Sequence, residues 1–338
     1  MRNLISRRFL SHSSAYSTIR PLSKSCSESF FYKPKRWKST TTGSVSAKEV
    51  SKFSSLSPTW WDASKNPLIS MNPIRIKRIL QVMESRKKGH NVAVAEQIEN
   101  VHDAYPLQGM KALDVGCGGG LLSESLARLG ASVTAIDPSV EIVNVAKTRT
   151  IHDRHLRENI DYRGGISVED LASSSMNHGT YDLVCILEVI EHAADPQSLL
   201  RSAAKLLKRP TNNESGGTLF ISTLNRTSKS YFFGILGAEH VLRLLPIGTH
   251  DWNQFKSPNE VKKMIEDIEV DTLEDNITKD HLKLRQLDIC GMTFAPDIFG
   301  RSFKWSLDSN DLDVNWIGAY GFTSYENKGR SVTNERKL

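Results

Sequence analysis

The chain predicts an α/β fold, a mostly parallel seven-stranded sheet with helices on both faces. Three observations carry that expectation. Short apolar segments alternate with helix-like ones from residue 111 to residue 222. The first of them, Lys111–Val115, runs straight into the glycine turn Gly116-Cys117-Gly118-Gly119-Gly120. The second, Val133-Thr134-Ala135-Ile136-Asp137, ends in an acid 21 positions after Gly116. Strand, glycine turn, helix, strand and terminal acid describe the opening βαβ unit of a Rossmann-like nucleotide-binding sheet.

Taken in order, the elements begin after a serine-rich linker at 39–57. The segment from Trp60-Trp61-Asp62 to Asn72-Pro73-Ile74-Arg75-Ile76 opens a helix, with Pro73 suited to a first-turn position. Residues 84–105 are polar and charged and read as a surface insertion. Strands follow at 111–115 and 132–136, separated by a helix at 119–129 and followed by one at 139–149. A weaker strand lies near 160–166, and Tyr181–Ile186 is a buried one. A helix from Pro196 to Lys208, a polar loop and a strand at 218–222 complete the alternation. In the C-terminal third, 258–266 is helical and 268–280 is an acidic loop. Strand-like pieces at 282–296 and 314–322 bring the sheet to seven strands.

The glycine spacing selects the ligand. A dinucleotide fingerprint is G-x-G-x-x-G, but the third glycine position is held by Leu121. Asp114, at the strand end before the turn, would repel a pyrophosphate. It suits the cationic, phosphate-free amino-acid end of S-adenosylmethionine (SAM). The expected fold is therefore the Rossmann-like class I SAM-dependent methyltransferase. Gly116 lets the ligand approach the backbone, Asp137 accepts from the ribose hydroxyls, and Leu187 lines the cofactor at the end of the fourth strand. An NAD oxidoreductase is disfavoured by the same spacing.

The net charge of +6 is not a nucleic-acid footprint, because residues 1–40 carry nine Lys/Arg against one acid, leaving the remainder near −2. That N-terminus is serine-rich, with its basic residues among Leu4, Ile5, Phe9, Leu10 and Tyr16, and lacks an unbroken apolar core. Residues 1–45 are expected to be a mitochondrial presequence with a short linker. The four cysteines form no C-x-x-C pair, so neither a disulfide framework nor a zinc site is expected. No apolar run reaches the ~18 residues of a membrane span.

Three further segments narrow the reading. They are Trp60-Trp61-Asp62 with Ile69–Arg75, Glu188-Val189-Ile190-Glu191-His192 with Asp195-Pro196, and Ser222–Arg226 running to Gly248-Thr249-His250-Asp251-Trp252. Together with the glycine turn they resemble the O-methyltransferases of ubiquinone biosynthesis, in their mitochondrial form. The resemblance covers roughly 58–262 closely and Gly291-Met292 onwards loosely. It implies one methyltransferase domain at 58–330, with surface insertions near 84–105 and 268–280. It also implies methylation of a catechol hydroxyl on a polyprenylated ring: polyprenyl-dihydroxybenzoate early and demethylubiquinol late. The implied setting is the matrix side of the mitochondrial inner membrane, bound peripherally beside other coenzyme Q biosynthesis proteins in a multi-subunit complex. Arg75 is carried over from the family's N-P-x-R element as a cofactor contact.

An unperturbed phenol has a pKa of about 10, so the acceptor oxygen must be helped to ionise. Glu188, Glu191 and His192 follow the fourth strand at the carboxyl end of the sheet, where ligands bind in open α/β folds. The resemblance makes these three the Mg²⁺ ligands, on which a catechol would chelate, although a histidine among three Mg²⁺ ligands is unusual. Two readings stay beside it: His192 as general base with Glu188 orienting, and a purely structural acidic turn. The stretch Tyr231–Leu245 is either an amphipathic membrane-contacting segment or a lid helix. The rival functions are methylation of another small phenol and a non-catalytic assembly role in the quinone-synthesis complex.

Overall fold

The structure is a computed structural model that describes residues 43–88, 103–211, 214–232, 251–271, 281–297 and 302–322. Two helices lead in: α1 (Ala47–Ser55) and α2 (Leu68–Lys87). The alternation then runs β1 (Lys111–Val115), α3 (Leu121–Arg128), β2 (Ser132–Asp137), α4 (Val140–Thr150), α5 (Arg154–Asn159), β3 (Ile160–Gly164) and α6 (Val168–Ala172). It continues with β4 (Leu183–Leu187), α7 (Pro196–Leu206), β5 (Thr218–Leu224), the single turn α8 (Ser228–Ser230) and α9 (Pro258–Glu266). Four strands close the described chain: β6 (Glu269–Asp271), β7 (His281–Asp297), β8 (Ser302–Asp308) and β9 (Asn315–Phe322).

The strand order is β3-β2-β1-β4-β5-β9-β7-β6, with β8 also paired to β7. Strands β1 to β5 are parallel, β9 runs antiparallel to β5, and β7 runs antiparallel to β9. The seven expected strands form the body of this sheet, and β6 and β8 extend it to nine. Period-2 alternation sorts the side chains onto two faces. Leu183, Cys185 and Leu187 of β4 join a core with α2, α3 and α4, while Val184 and Ile186 join one with α6, α7 and α9. Helices on both faces explain why β4 and β5 are buried along their whole length.

Helix starts follow local chemistry. Ser139 caps α4 by accepting from Ile142 N at 3.2 Å, and Asp195 caps α7 by accepting from Ser198 N at 3.0 Å, with Pro196 in the first turn. The Asp195-Pro196 pair thus has a structural job. Helix α3 begins at Leu121 and not at 119, because Gly120 has φ +88, outside the helical region.

Four sequence expectations change. The linker at 39–57 contains α1, whose start is signalled by Ser46 accepting from Glu49 N. Helix α2 begins at Leu68, whose N–H is taken by the Asn66 side chain at 3.1 Å, so Pro73 lies inside the helix instead of in its first turn. The same helix continues through 84–87, so the insertion expected at 84–105 starts later, and 89–102 lie outside the described residues. At 268–280, Glu269–Asp271 is a strand pairing with β7, while 272–280 lie outside the described residues. Residues 1–42 of the 1–45 segment expected as presequence and linker, and most of the Tyr231–Leu245 segment, lie outside them too.

Helix α2 is tied to the antiparallel half of the sheet by a buried forked pair. Arg78 donates from Nε to Asp288 Oδ2 at 2.8 Å and from Nη2 to Oδ1. Removing one partner strands the other charge away from water, which costs about 3–5 kcal/mol. Asp288→Ala is therefore expected to lower the unfolding free energy by about that amount, read as a shift in the denaturant midpoint.

Candidate active site

The carboxyl ends of the strands open into one cavity of about 750 Å³. Its floor at one end is the glycine turn. Gly116 has φ +71, and a side chain there would run into Val189 from the neighbouring β4 exit. Trp60 lies so close to Gly118 and Gly119 that a Cβ on either would strike its ring. The turn is consequently clamped between β4's exit loop and the Trp60 indole, and Trp61 Nε1 donates to Gly119 O at 3.1 Å.

Asp137 stands where the sequence put it, at the end of β2. Its Oδ2 accepts from Gly118 N at 3.0 Å and its Oδ1 from Ser139 N at 2.8 Å. Burial pushes its pKa up to about 6 against the opposing pull of those two bonds. Asp114 is also buried, accepts from the Ser123 hydroxyl at 2.6 Å, and is pushed up to about 6, mainly by burial and further by the charge of Asp137. Two buried acids whose ionisation is opposed by burial favour a cationic occupant.

The exit of β4 forms the middle of the cavity. Leu187 is buried there and lines the wall. Glu188 has φ +56, the one left-handed non-glycine backbone among the described residues, and such strain collects at functional sites. The turn aims its carboxylate at two groups: Ser222 Oγ donates to Oε1 at 2.8 Å, and Arg75 Nη2 lies 3.1 Å from the same oxygen. Arg75 is buried and faces the cavity, and among the described residues its Nε has no hydrogen-bond partner. Glu191 is buried, and its pKa is raised to about 8 by burial and then by the charge of Glu188.

His192 turns to the other side. Its Nδ1 lies 2.9 Å from Glu49 Oε2 of α1, and the ring meets Phe53 edge-on at 4.8 Å. A carboxylate partner requires the proton on Nδ1. The hydrogen bond from His192 is the largest influence holding Glu49 at about 2, so the carboxylate side of this tie persists until the pH falls far below 4.5. As placed, Glu188, Glu191 and His192 do not form a ligand set. Glu188 is committed to Arg75 and Ser222, His192 to Glu49. Among the described residues no group of three His, Cys, Asp or Glu side chains is arranged to hold a metal ion. These residues do not fit Mg²⁺ in this arrangement.

Sequence reasoning misses Glu49 and Phe53, because the serine-rich composition of 39–57 reads as linker. The Ser46-x-x-Glu49 spacing was the available signal, since a serine three residues before an acid marks a helix start. Helix α1 has no buried residue of its own. It is held over the cavity by Glu49, by Ser44 N donating to Glu169 Oε1 at 3.0 Å, and by Ser54 Oγ meeting Ser139 Oγ at 2.7 Å. The specific Ser222–Arg226 segment builds the β5 exit: Ser222 reaches Glu188, Asn225 Nδ2 donates to Leu312 O at 2.9 Å, and Arg226 pairs with Glu260.

A family model described as a methyltransferase domain matches residues 89–273. The ubiquinone biosynthesis O-methyltransferase of Pelagibacter ubique is 38% identical over 278 residues, covering 81% of this chain and 97% of that protein. The enzyme of the same name from Cereibacter sphaeroides is 36% identical over 282 residues, covering 83% and 98%. Among solved structures, a SAM-dependent methyltransferase from Aquifex aeolicus aligns at 14% identity with a TM-score of 0.41, over 81% of this chain and 97% of that one. With its glycine turn, its acid at the end of β2 and relatives aligned over four-fifths of its length, the chain belongs to the ubiquinone biosynthesis O-methyltransferase family.

Proposed function

We propose that the chain transfers the methyl group of SAM to a catechol hydroxyl of polyprenylated ubiquinone precursors, both polyprenyl-dihydroxybenzoate and demethylubiquinol. One observation carries the reading: a single cavity joins the Asp114–Asp137 acids to the Glu188–His192 turn, in a chain of this family. Bound SAM supplies an electrophilic methyl group on a sulfonium. The protein's groups fit it. Asp114 faces its ammonium, Asp137 takes its ribose hydroxyls, Leu187 and Gly116 line it, and Arg75 Nε offers a buried donor to its carboxylate.

Deprotonation of the acceptor is assigned to His192. With Nδ1–H directed at Glu49, Nε2 is the basic nitrogen of the neutral ring, and Glu49 stabilises the imidazolium that forms. Glu188 orients Arg75 at the boundary between cofactor and acceptor. Holding the two reactants in line is itself worth several kcal/mol of barrier, roughly 7–11 at best. Mg²⁺ would require Arg75 to release Glu188 and Glu49 to release His192.

The same reading puts the protein at the matrix face of the mitochondrial inner membrane, peripherally bound and working with other coenzyme Q biosynthesis proteins. The basic, serine-rich residues 1–40 and the insolubility of the acceptor support it. Among the described residues no helix is long and apolar enough to cross a membrane.

The test is methyl transfer from labelled SAM to a short-chain prenyl-dihydroxybenzoate by the full chain, before and after chelation. Methylation that persists in chelator is the expected result. Activity lost to chelator and restored by Mg²⁺ would overturn the base assignment and demand that the Glu188 and His192 ties open. Absence of methylation despite measured SAM binding would overturn the substrate.

A further inference from the structure

We infer that the polyprenyl tail leaves the active site along an apolar ramp between the start of α2 and the β7–β8 hairpin, gripped at its outer end by Phe294 and Trp305. The inference rests on the catechol reading above and names the part of the site that reads the tail.

The strand register separates the cavity into two halves. Asp137, Asp114 and Leu187 lie at the ends of β2, β1 and β4, which are adjacent. The cofactor half therefore spans those three strands. Beyond β4 the order continues β5, β9, β7, with Leu224 opposite Asn315, Asn315 opposite Met292, and Met292 opposite Leu307 of β8. At about 4.8 Å per strand, β7 stands ~14 Å from β4. The wall of this far half includes Leu68, Met71, Met292, Phe294 and Trp305. The SAM-binding acids are all at the other end.

Its exposure is graded. Met292 is 1% exposed and Met71 4%, whereas Phe294, two residues further along the same face of β7, is 43% exposed. Trp305 sits directly across from Phe294 on β8, with ring centroids 4.9 Å apart. Trp305 Nε1 donates to Ser70 Oγ of α2 at 3.1 Å, which pins the hairpin to the helix and fixes the channel's width. An apolar surface that rises continuously from the core to solvent, through a held aromatic pair, is costly to expose without an occupant. A cavity of about 750 Å³ cannot enclose SAM, a ring and a long isoprenoid together, so the tail needs an exit. Flat, methyl-rich isoprene units match aromatic faces and thioether side chains, and no charged group is needed to hold them.

The experiment measures equilibrium binding of two probes to the full chain in the presence of S-adenosylhomocysteine: 3,4-dihydroxybenzoate, and the same ring carrying a farnesyl group. The wild-type protein is expected to bind the farnesylated probe more tightly. Phe294→Ser is expected to weaken that probe about tenfold while leaving the tail-less probe unchanged, the loss of part of one buried aromatic contact. Phe294→Leu keeps an apolar side chain and is expected to retain most of the preference. Since Phe294 is half exposed, neither change disturbs the core. Equal changes for both probes, or no change for either, would overturn the ramp. A wild-type protein that binds neither probe while still binding S-adenosylhomocysteine would instead overturn the catechol reading.

Discussion

Asp137→Ala is expected to weaken SAM binding by about a hundredfold or more while the protein remains folded. Charge-assisted hydrogen bonds contribute about 1.5–3 kcal/mol each, and the ribose would lose two of them. The turn would suffer as well, because Gly118 N and Ser139 N both donate to this carboxylate. Calorimetry gives the affinity and a thermal melt gives the fold. Unchanged affinity would remove the cofactor assignment. The pH dependence provides a second signature. Asp114 and Asp137 both have pKa values raised to about 6 by burial. For a raised acid the sign is the reverse of the usual one. In the cofactor-free protein, ionising these groups costs stability, and the cost grows as the pH rises from about 4, the unfolded value, through 6. A cation in the cavity offsets that cost, so SAM affinity should be flat above pH 6 and fall below it, by up to about a hundredfold per pH unit while both acids must give up a proton. In Asp137→Ala only Asp114 remains, and the slope should halve.

His192→Ala should lower kcat by roughly 10²–10⁴-fold, the usual size of a lost general base, with SAM affinity unchanged. Glu49→Gln should produce a smaller loss of the same kind, because the ring stays but loses the carboxylate that sets its tautomer and stabilises its charged form. Glu49→Asp keeps the charge on a shorter arm and should recover part of the rate. If His192→Ala retained full kcat, the base would have to be found elsewhere on the β4 exit. If Glu49→Gln were silent, the 2.9 Å tie to His192 would have no part in turnover.

Helix α1, which supplies Glu49, shows where sequence reading fails and why. Its nine residues bury none of their number, and its apolar face amounts to little more than Val50 and Phe53, which does not stand out in a serine-rich stretch. Its importance lies in what it covers, and the groups it ties to, from Ser139 to His192, are 85 or more residues away in sequence. The Arg75–Glu188 pair has the same character: each residue was singled out, one for the cofactor and one for a metal, yet their ion pair spans more than a hundred positions. Strand β8 was missed although Phe303, Trp305 and Leu307 alternate with polar residues, the ordinary local signal of a half-buried strand. By contrast, β1 was legible to the residue, since an apolar run before a glycine turn is a purely local signal.

The sequence by itself determined the βαβ opening, the glycine turn, the position of Asp137 and the parallel half of the sheet. The turn and the βαβ opening depend on neighbours within about 30 residues, and the parallel half follows from the repeated strand–helix alternation, which requires crossover connections. The tertiary structure alone decided how the β4 exit is used. It tied Glu188 to Arg75, buried Glu191 within reach of the Glu188 charge, and turned His192 toward Glu49. It also ordered the antiparallel strands so that Met292, Phe294 and Trp305 continue the cavity. These choices follow from burial and charge pairing among groups distant in the chain, and such forces act only once the sheet has brought them within reach.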